Sequence, residues 1–173
     1  VESHLVMSPA AVRTLGIETD FTVSDVSAMA DVTHSFKDIG AAVASGSFRS
    51  LGMLIAPCSV KTLSAVAQCS SGDLIARAAV VCLKERRRLV LLFRETPLHA
   101  GHLAQMEQAT RNGAIVMPAV VGLYYRPASV DDMLDHLVGR ALDLMGVDCG
   151  LVKRWGEELP AEELRANRED VSG

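Results

Sequence analysis

The chain has 173 residues, 49% hydrophobic and only 4% aromatic, enough for one domain with an aliphatic core of the kind found in α/β layers. Its net charge of −4 argues against a general nucleic-acid binder. No run approaches the ~18 apolar residues of a membrane helix, no signal peptide is visible, and the four cysteines show no C-x-x-C spacing, so reduced thiols and a cytoplasmic location are expected.

Strand-like and helix-like runs alternate. Val1 to Met7 reads as a strand with no lead-in, its clearest part His4 to Met7. Ser8 caps a helix from Pro9 to about Leu15, with proline at the first helical position, where its missing N–H costs nothing. Phe21 to Ser35 is mixed, with a short helix around Ser24 to Ala30. Ile39 to Ser47 carries small residues and ends in the loop ASGS. Met53 to Ala56 is a buried strand, Ser59 caps a helix to about Gln68, and Ser70 to Asp73 turn the chain. Leu74 to Arg86 is helical. Leu89 to Phe93, LVLLF, has the two-sided apolarity of a parallel-sheet strand. A helix from Leu98 to Asn112 stops at Gly113, and a short strand follows over Ala114 to Met117. The S-x-x-D pair Ser129 and Asp132 opens a helix that runs to Met145 and ends at Gly146. The βαβα order predicts a parallel sheet with helices on both faces. One domain is expected over residues 1–150. The polar tail 151–173 follows, with one helix near Ala161 to Asn167.

The stretch GMLIAPCSVKTL, Gly52 to Leu63, carries the most chemistry. A buried strand feeding a Ser59-capped helix start leaves backbone N–H groups free at the strand's carboxyl end, which suits an anion. There is no glycine fingerprint, so this is not a Walker-type loop. Arg94 and Glu95 follow LVLLF at the same edge. Arg94 can grip a phosphate bidentately and Glu95 can move a proton, or the two are an ordinary surface pair. Arg77 and Lys84 lie seven apart on one helix face, as phosphate ligands or as a solvated basic face. Tyr124, Tyr125 and Arg126 are an aromatic pair beside a cation, either a phosphate-and-apolar contact or a loop anchor. Arg140 lies mid-helix after Gly139. His99 and His102 can face one metal, but no third ligand is in sight, so no metal site is expected. Cys58 beside Ser59 lacks a His–Asp partner and reads as a small buried thiol.

Together these segments resemble the UbiX-type flavin prenyltransferases, a flavoprotein group that includes the small partner subunits of phenolic-acid decarboxylases. VESHLVMS, ASGSF, GMLIAPCSVKTL, DLIARAAVVCLKERR, LVLLFRETPLH, YYRP and DDMLDHLVGRALDLMG stand in the family's order and spacing over about residues 1–150. The resemblance implies a flavodoxin-like, Rossmann-type three-layer α/β/α sandwich, assembled as a homo-oligomer, usually a dodecamer. It implies a metal-independent reaction joining dimethylallyl phosphate to reduced FMN, first at flavin N5 and then at C6. The product, prenylated FMN, serves a UbiD-type decarboxylase. By the same resemblance Ser8, Ser59, Val60, Lys61, Thr62 and Arg94 contact FMN, with the Ser45 to Phe48 loop beside the isoalloxazine. Arg77, Lys84, Arg94, Tyr124 and Arg140 match the pocket for the dimethylallyl phosphate group. Glu95 matches an acidic residue near N5, and Lys84 and Arg94 stand with it as the catalytic set.

The chain departs from the family pattern in three places. The family opens with a strand and a Gly-Ala-Ser-Gly-type loop, whereas this chain begins at what resembles the second strand. MPAVVGL replaces a stretch that tends to hold a Pro-Pro pair and an aromatic, and Tyr125 replaces a common His or Asn. Two other readings stand beside the prenyltransferase. One is a flavin-dependent cysteine decarboxylase of the same fold, although that group tends to carry an Asn-containing motif at Cys58 to Lys61. The other is a non-catalytic FMN-binding or assembly subunit.

Overall fold

A computed structural model describes residues 1–152 and 154. Strand β1 (His4–Val6) leads into Ser8, which stays extended and accepts the Ala11 N–H at 3.0 Å. That cap and Pro9 start helix α1 (Pro9–Glu18), which runs past Leu15 until the Thr19 hydroxyl and N–H both close on the Leu15 carbonyl. A capping box of Thr22 and Asp25 opens helix α2 (Val23–Ala28). Strand β2 (Val32–His34) follows. It lay hidden in the mixed stretch because three residues are too few to show alternation. Pairing with β1 in parallel register, His4 to Val32 and Val6 to His34, is what makes it a strand.

The next elements run to Pro118. They are β3 (Gly52–Cys58), α3 (Val60–Ala67), α4 (Leu74–Lys84), β4 (Arg88–Phe93), α5 (Ala100–Arg111) and β5 (Ile115–Pro118). Helix α4 stops short of Arg86, whose φ of 57° breaks the helical run. The Arg86 and Arg87 N–H groups then close on the Leu83 and Cys82 carbonyls, a helix-ending geometry that satisfies carbonyls otherwise orphaned. Strand β3 extends beyond the expected Met53 to Ala56 and includes Pro57. The β3–β4 register slips between Ile55 and Cys58, and proline is tolerated at such an irregularity on an edge strand.

The strands are parallel, as the βαβα order predicts, but they form two sheets, β1–β2 and β3–β4–β5. Among the described residues no strand pairs with the second edge of β1 or of β3. The principal core lies on the larger sheet: Leu63 and Val66 of α3, Ala79 and Cys82 of α4, Leu89, Leu91 and Phe93 of β4, and Ala109 of α5 are buried together. LVLLF is buried along its whole length. By contrast, no residue of β1, α1, α2 or β2 is fully buried.

The chain divides into two compact units, Val1–Pro118 and Ala119–Gly173. The described part of the second unit holds helix α6 (Val130–Met145). It starts at the Ser129–Asp132 capping box, as the motif predicts, and ends at Gly146 with φ of 79°. The helix expected near Ala161 to Asn167 lies outside the described residues. Among the described residues no helix is long and apolar enough to cross a membrane.

Candidate functional site

Three helices of the first unit begin around one cavity of about 430 Å³. Ser8 caps α1, Ser59 caps α3 and Asp73 caps α4, and all three residues line it. The cause is local: a strand or turn delivers a short polar residue in extended conformation, and its side chain takes up a helix N–H. Ser59 Oγ accepts from the Thr62 N–H at 3.3 Å and lies 3.2 Å from the Thr62 hydroxyl. Asp73 Oδ1 accepts from the Ala76 N–H at 2.9 Å. The N–H of Leu74 donates to the Phe36 carbonyl at 3.0 Å.

The three starts are not equivalent toward an anion. Helix α4 presents a carboxylate, so a phosphate is disfavoured there, while Asp73 suits hydroxyl donors. Helices α1 and α3 present hydroxyls, positive dipole ends and one cation each, Arg13 and Lys61, both on the cavity wall. The gap between α1 and α3, at the carboxyl ends of β1 and β3, is thus the part of the cavity whose chemistry suits an ester phosphate. FMN fits this donor set. Its phosphate would meet Lys61, Arg13, Ser8, Ser59 and Thr62, and its polyol would meet Asp73.

The structure thus gathers Ser8, Ser59, Lys61 and Thr62 from the expected set. Val60, at the first position of α3, packs against the core instead. Arg13, Thr14, Phe36 and Asp73 also line the cavity and were missed. Asp73 carried a usable signal, since an aspartate just before the apolar run of α4 is an N-cap signature. Arg13 carried a weaker one, as the lone cation of the helix that Ser8 opens.

Apart from Lys61, the expected cations lie elsewhere and are mostly paired. Arg94 holds Glu18 of α1 with two hydrogen bonds, at 2.9 and 3.0 Å. This lowers the Glu18 carboxyl below its usual range, chiefly through the hydrogen bond from Arg94. Glu95 is exposed and accepts from the Thr96 N–H at 3.2 Å. Lys84 pairs with its neighbour Glu85, and Arg77 is exposed on α4. Lys84 does meet the Ser45 to Phe48 loop. A Cβ on Gly46 would lie 2.6 Å from Lys84 Nζ, and Arg87 donates to the Gly46 carbonyl at 2.6 Å. The contacts there are the flexible ends of the Lys84 and Glu85 side chains.

In the second unit Arg140 pairs with Asp143 at 2.8 Å, and Arg154 holds the same carboxylate at 2.9 Å. The Tyr124 hydroxyl lies 3.3 Å from His136 Nε2. His99 and His102 act at the start of α5, where His99 Nδ1 accepts the Gly101 N–H and His102 Nδ1 accepts the His99 N–H. Cys58 is fully buried, and burial pushes its thiol up to about 12, so it is no thiolate nucleophile near neutral pH.

Residues 2–141 match the model of the flavoprotein family. The flavin prenyltransferase UbiX of Thauera aromatica is 52% identical over 155 residues, covering 90% of this chain and 80% of that protein. Its counterpart from Escherichia coli K12 is 52% identical over 157 residues, covering 90% of this chain and 83% of that protein. Among solved structures, AnUbiX (PadA1) in complex with FMN and dimethylallyl pyrophosphate superposes with a TM-score of 0.89 at 49% identity, over 92% of this chain and 85% of that one. A dodecameric FMN-dependent UbiX-like decarboxylase from Escherichia coli O157:H7 superposes with a TM-score of 0.87 at 43% identity, over 90% and 84%.

Proposed function

The chain belongs to the UbiX-type flavin prenyltransferases of the flavoprotein family, and from that membership we infer that it joins dimethylallyl phosphate to reduced FMN. The product, prenylated FMN, serves a separate UbiD-type decarboxylase. One observation of the structure supports the reading: the cavity onto which α1 and α3 bring two helix N-termini, two cations and the hydroxyls of Ser8, Thr14, Ser59 and Thr62. The relative solved with FMN and dimethylallyl pyrophosphate supports FMN together with a dimethylallyl phosphate ester, there in the diphosphate form.

Ser8, Ser59, Lys61 and Thr62, with Arg13, hold the flavin phosphate; Val60 sets the start of α3 from the core side. When bound, reduced FMN supplies the electron-rich ring that takes the prenyl group. The protein's part is to orient the two reactants and to stabilise departing phosphate. By family resemblance Arg77, Lys84 and Arg94 in the first unit, and separately Tyr124 and Arg140 in the second, serve as phosphate-binding residues. A leaving group carrying one to two negative charges needs several donors in a dry site, and ammonium, guanidinium and phenol groups all donate. Each carboxylate now paired with such a cation must yield it to the substrate. Glu95 moves the proton released near the flavin. The flavoprotein domain spans residues 1–150 and works in the cytoplasm as a homo-oligomer, a dodecamer by analogy with the Escherichia coli O157:H7 relative.

The test mixes purified protein, reduced FMN and dimethylallyl phosphate, in parallel with the diphosphate, and follows the flavin by mass spectrometry. Gain of one prenyl unit with the monophosphate is expected. No adduct from FMN-loaded protein with either donor overturns the reading, and carbon dioxide released from a cysteine peptide would replace it with the decarboxylase.

A further inference from the structure

His136 sits one turn before Arg140 on α6 and is 7% exposed. Its Nε2 lies 3.3 Å from the Tyr124 hydroxyl. Tyr125 stacks on its other side, ring centroids 4.0 Å apart and planes 18° from parallel, so the imidazole is clamped. Tyr124 stands nearly perpendicular to both rings and is 55% exposed. Among the described residues His136 Nδ1 is buried with no hydrogen-bond partner. A buried ring N–H without an acceptor is the rarer defect, and a bare lone pair the commoner one. The hydrogen therefore belongs on Nε2. Burial, then the neighbouring Arg140 charge, holds His136 below its ordinary range against the pull of Asp143, which keeps the ring neutral.

We propose that His136 is a positioning residue for Tyr124: the clamped Nε2–H donates to the phenol oxygen, so that the phenol's own hydrogen is directed to a phosphate oxygen of the prenyl substrate. The proposal rests on the reading of Tyr124 as a phosphate ligand. Donation into the phenol oxygen also polarises the O–H and strengthens it as a donor. Tyr125 thereby gains a role that its aromatic neighbour alone did not suggest: its ring fixes the imidazole that fixes Tyr124.

The experiment uses the full FMN-loaded protein and four variants: Tyr124→Phe, His136→Phe, His136→Gln and the Tyr124→Phe/His136→Phe pair. His136→Phe keeps the ring and removes the donor. It is expected to raise KM for dimethylallyl phosphate about tenfold, a charged-acceptor hydrogen bond's worth, with a smaller loss in kcat and unchanged FMN affinity. His136→Gln keeps an N–H near Nε2 and recovers most of the loss. The double variant is no worse than Tyr124→Phe alone, because both changes remove one interaction. Independently of turnover, ¹⁵N NMR of the imidazole is expected to show the neutral Nε2–H tautomer. A Nδ1–H tautomer, additive effects in the pair, or a wild-type KM in His136→Phe overturns the proposal. If Tyr124→Phe leaves KM unchanged, Tyr124 is no phosphate ligand and both readings fall. If it raises KM while His136→Phe does not, only the positioning role falls. Should His136→Phe fail to fold, His136→Gln at wild-type KM together with the Nε2–H tautomer supports the proposal, and the Nδ1–H tautomer refutes it.

Discussion

Two sides of the Val1–Pro118 unit are both built from parallel strands with helices between them, yet they differ in burial. On the β3–β4–β5 side every residue of LVLLF is buried, and α3, α4 and α5 cover the sheet. On the β1–β2 side α1 leaves Val12 and Ile17 exposed and contributes nothing to the core. The cavity is walled by both sides, Ser8 and Arg13 from one and Ser59, Lys61 and Thr62 from the other. Stability and ligand binding are therefore drawn from different places. The large sheet holds the fold. The small one supplies half of the cavity wall and is linked across by Arg94 to Glu18 and by Leu74 to the Phe36 carbonyl. An FMN phosphate gripped from both walls would add its binding energy to that weak junction.

The largest effect should come from the core. Leu91→Ala, at a fully buried position, is expected to cost about 3 kcal/mol. Leu5→Ala on the half-buried β1 should cost about 1 kcal/mol, since far less area leaves water. Urea denaturation compares them, and equal losses would break the contrast between the two sides. Next in size, Lys61→Ala should weaken FMN binding about tenfold, as loss of a charge-assisted hydrogen bond does. The urea midpoint of the FMN-free protein should hardly move. Arg13→Ala should do the same from the opposite wall, and flavin fluorescence titration measures both.

The caps sharpen the comparison further. Ser59→Ala is expected to cost about 1 kcal/mol of global stability, because α3 is part of the core. Ser8→Ala should barely shift global unfolding but should speed hydrogen exchange across α1, because a helix with no buried residue opens locally. The smallest effect concerns the Arg94–Glu18 link. Glu18 has a depressed carboxyl in the folded chain, so its contribution is complete above the ordinary carboxylate range and lost as pH falls through the lowered value. Glu18→Gln should flatten that acid limb, most visibly at low salt, because both side chains are about half exposed. A thermal melt series against pH reads it out, and an unchanged limb would show that the link contributes nothing.

Much of the larger side, and the ends of α6, were legible from local pattern. The LVLLF run, the Ser59 cap, the Ser129–Asp132 box and Gly146 each act within a few residues, and each appears where expected. The short strand β2 was not legible, since three residues acquire strand geometry only from β1. The extent of β3 was not legible either, because Pro57 stops a strand only where its N–H would be needed. The site split in the same way. Ser59 and Lys61 could be read from one strand-to-helix junction, whereas Arg13 and Asp73 reach the same cavity from helices far away in sequence. His136 carries no local signal, because its setting comes from Tyr124 and Tyr125 packing on it.

By itself the sequence determined the parallel α/β class, the helix starts and the family, because caps, apolar runs and motif spacing are short-range properties of the chain. Tertiary structure decided that the strands part into two sheets, which helix ends share a cavity, and which cations meet carboxylates rather than that cavity. Those outcomes depend on distances between residues tens of positions apart, which only packing sets.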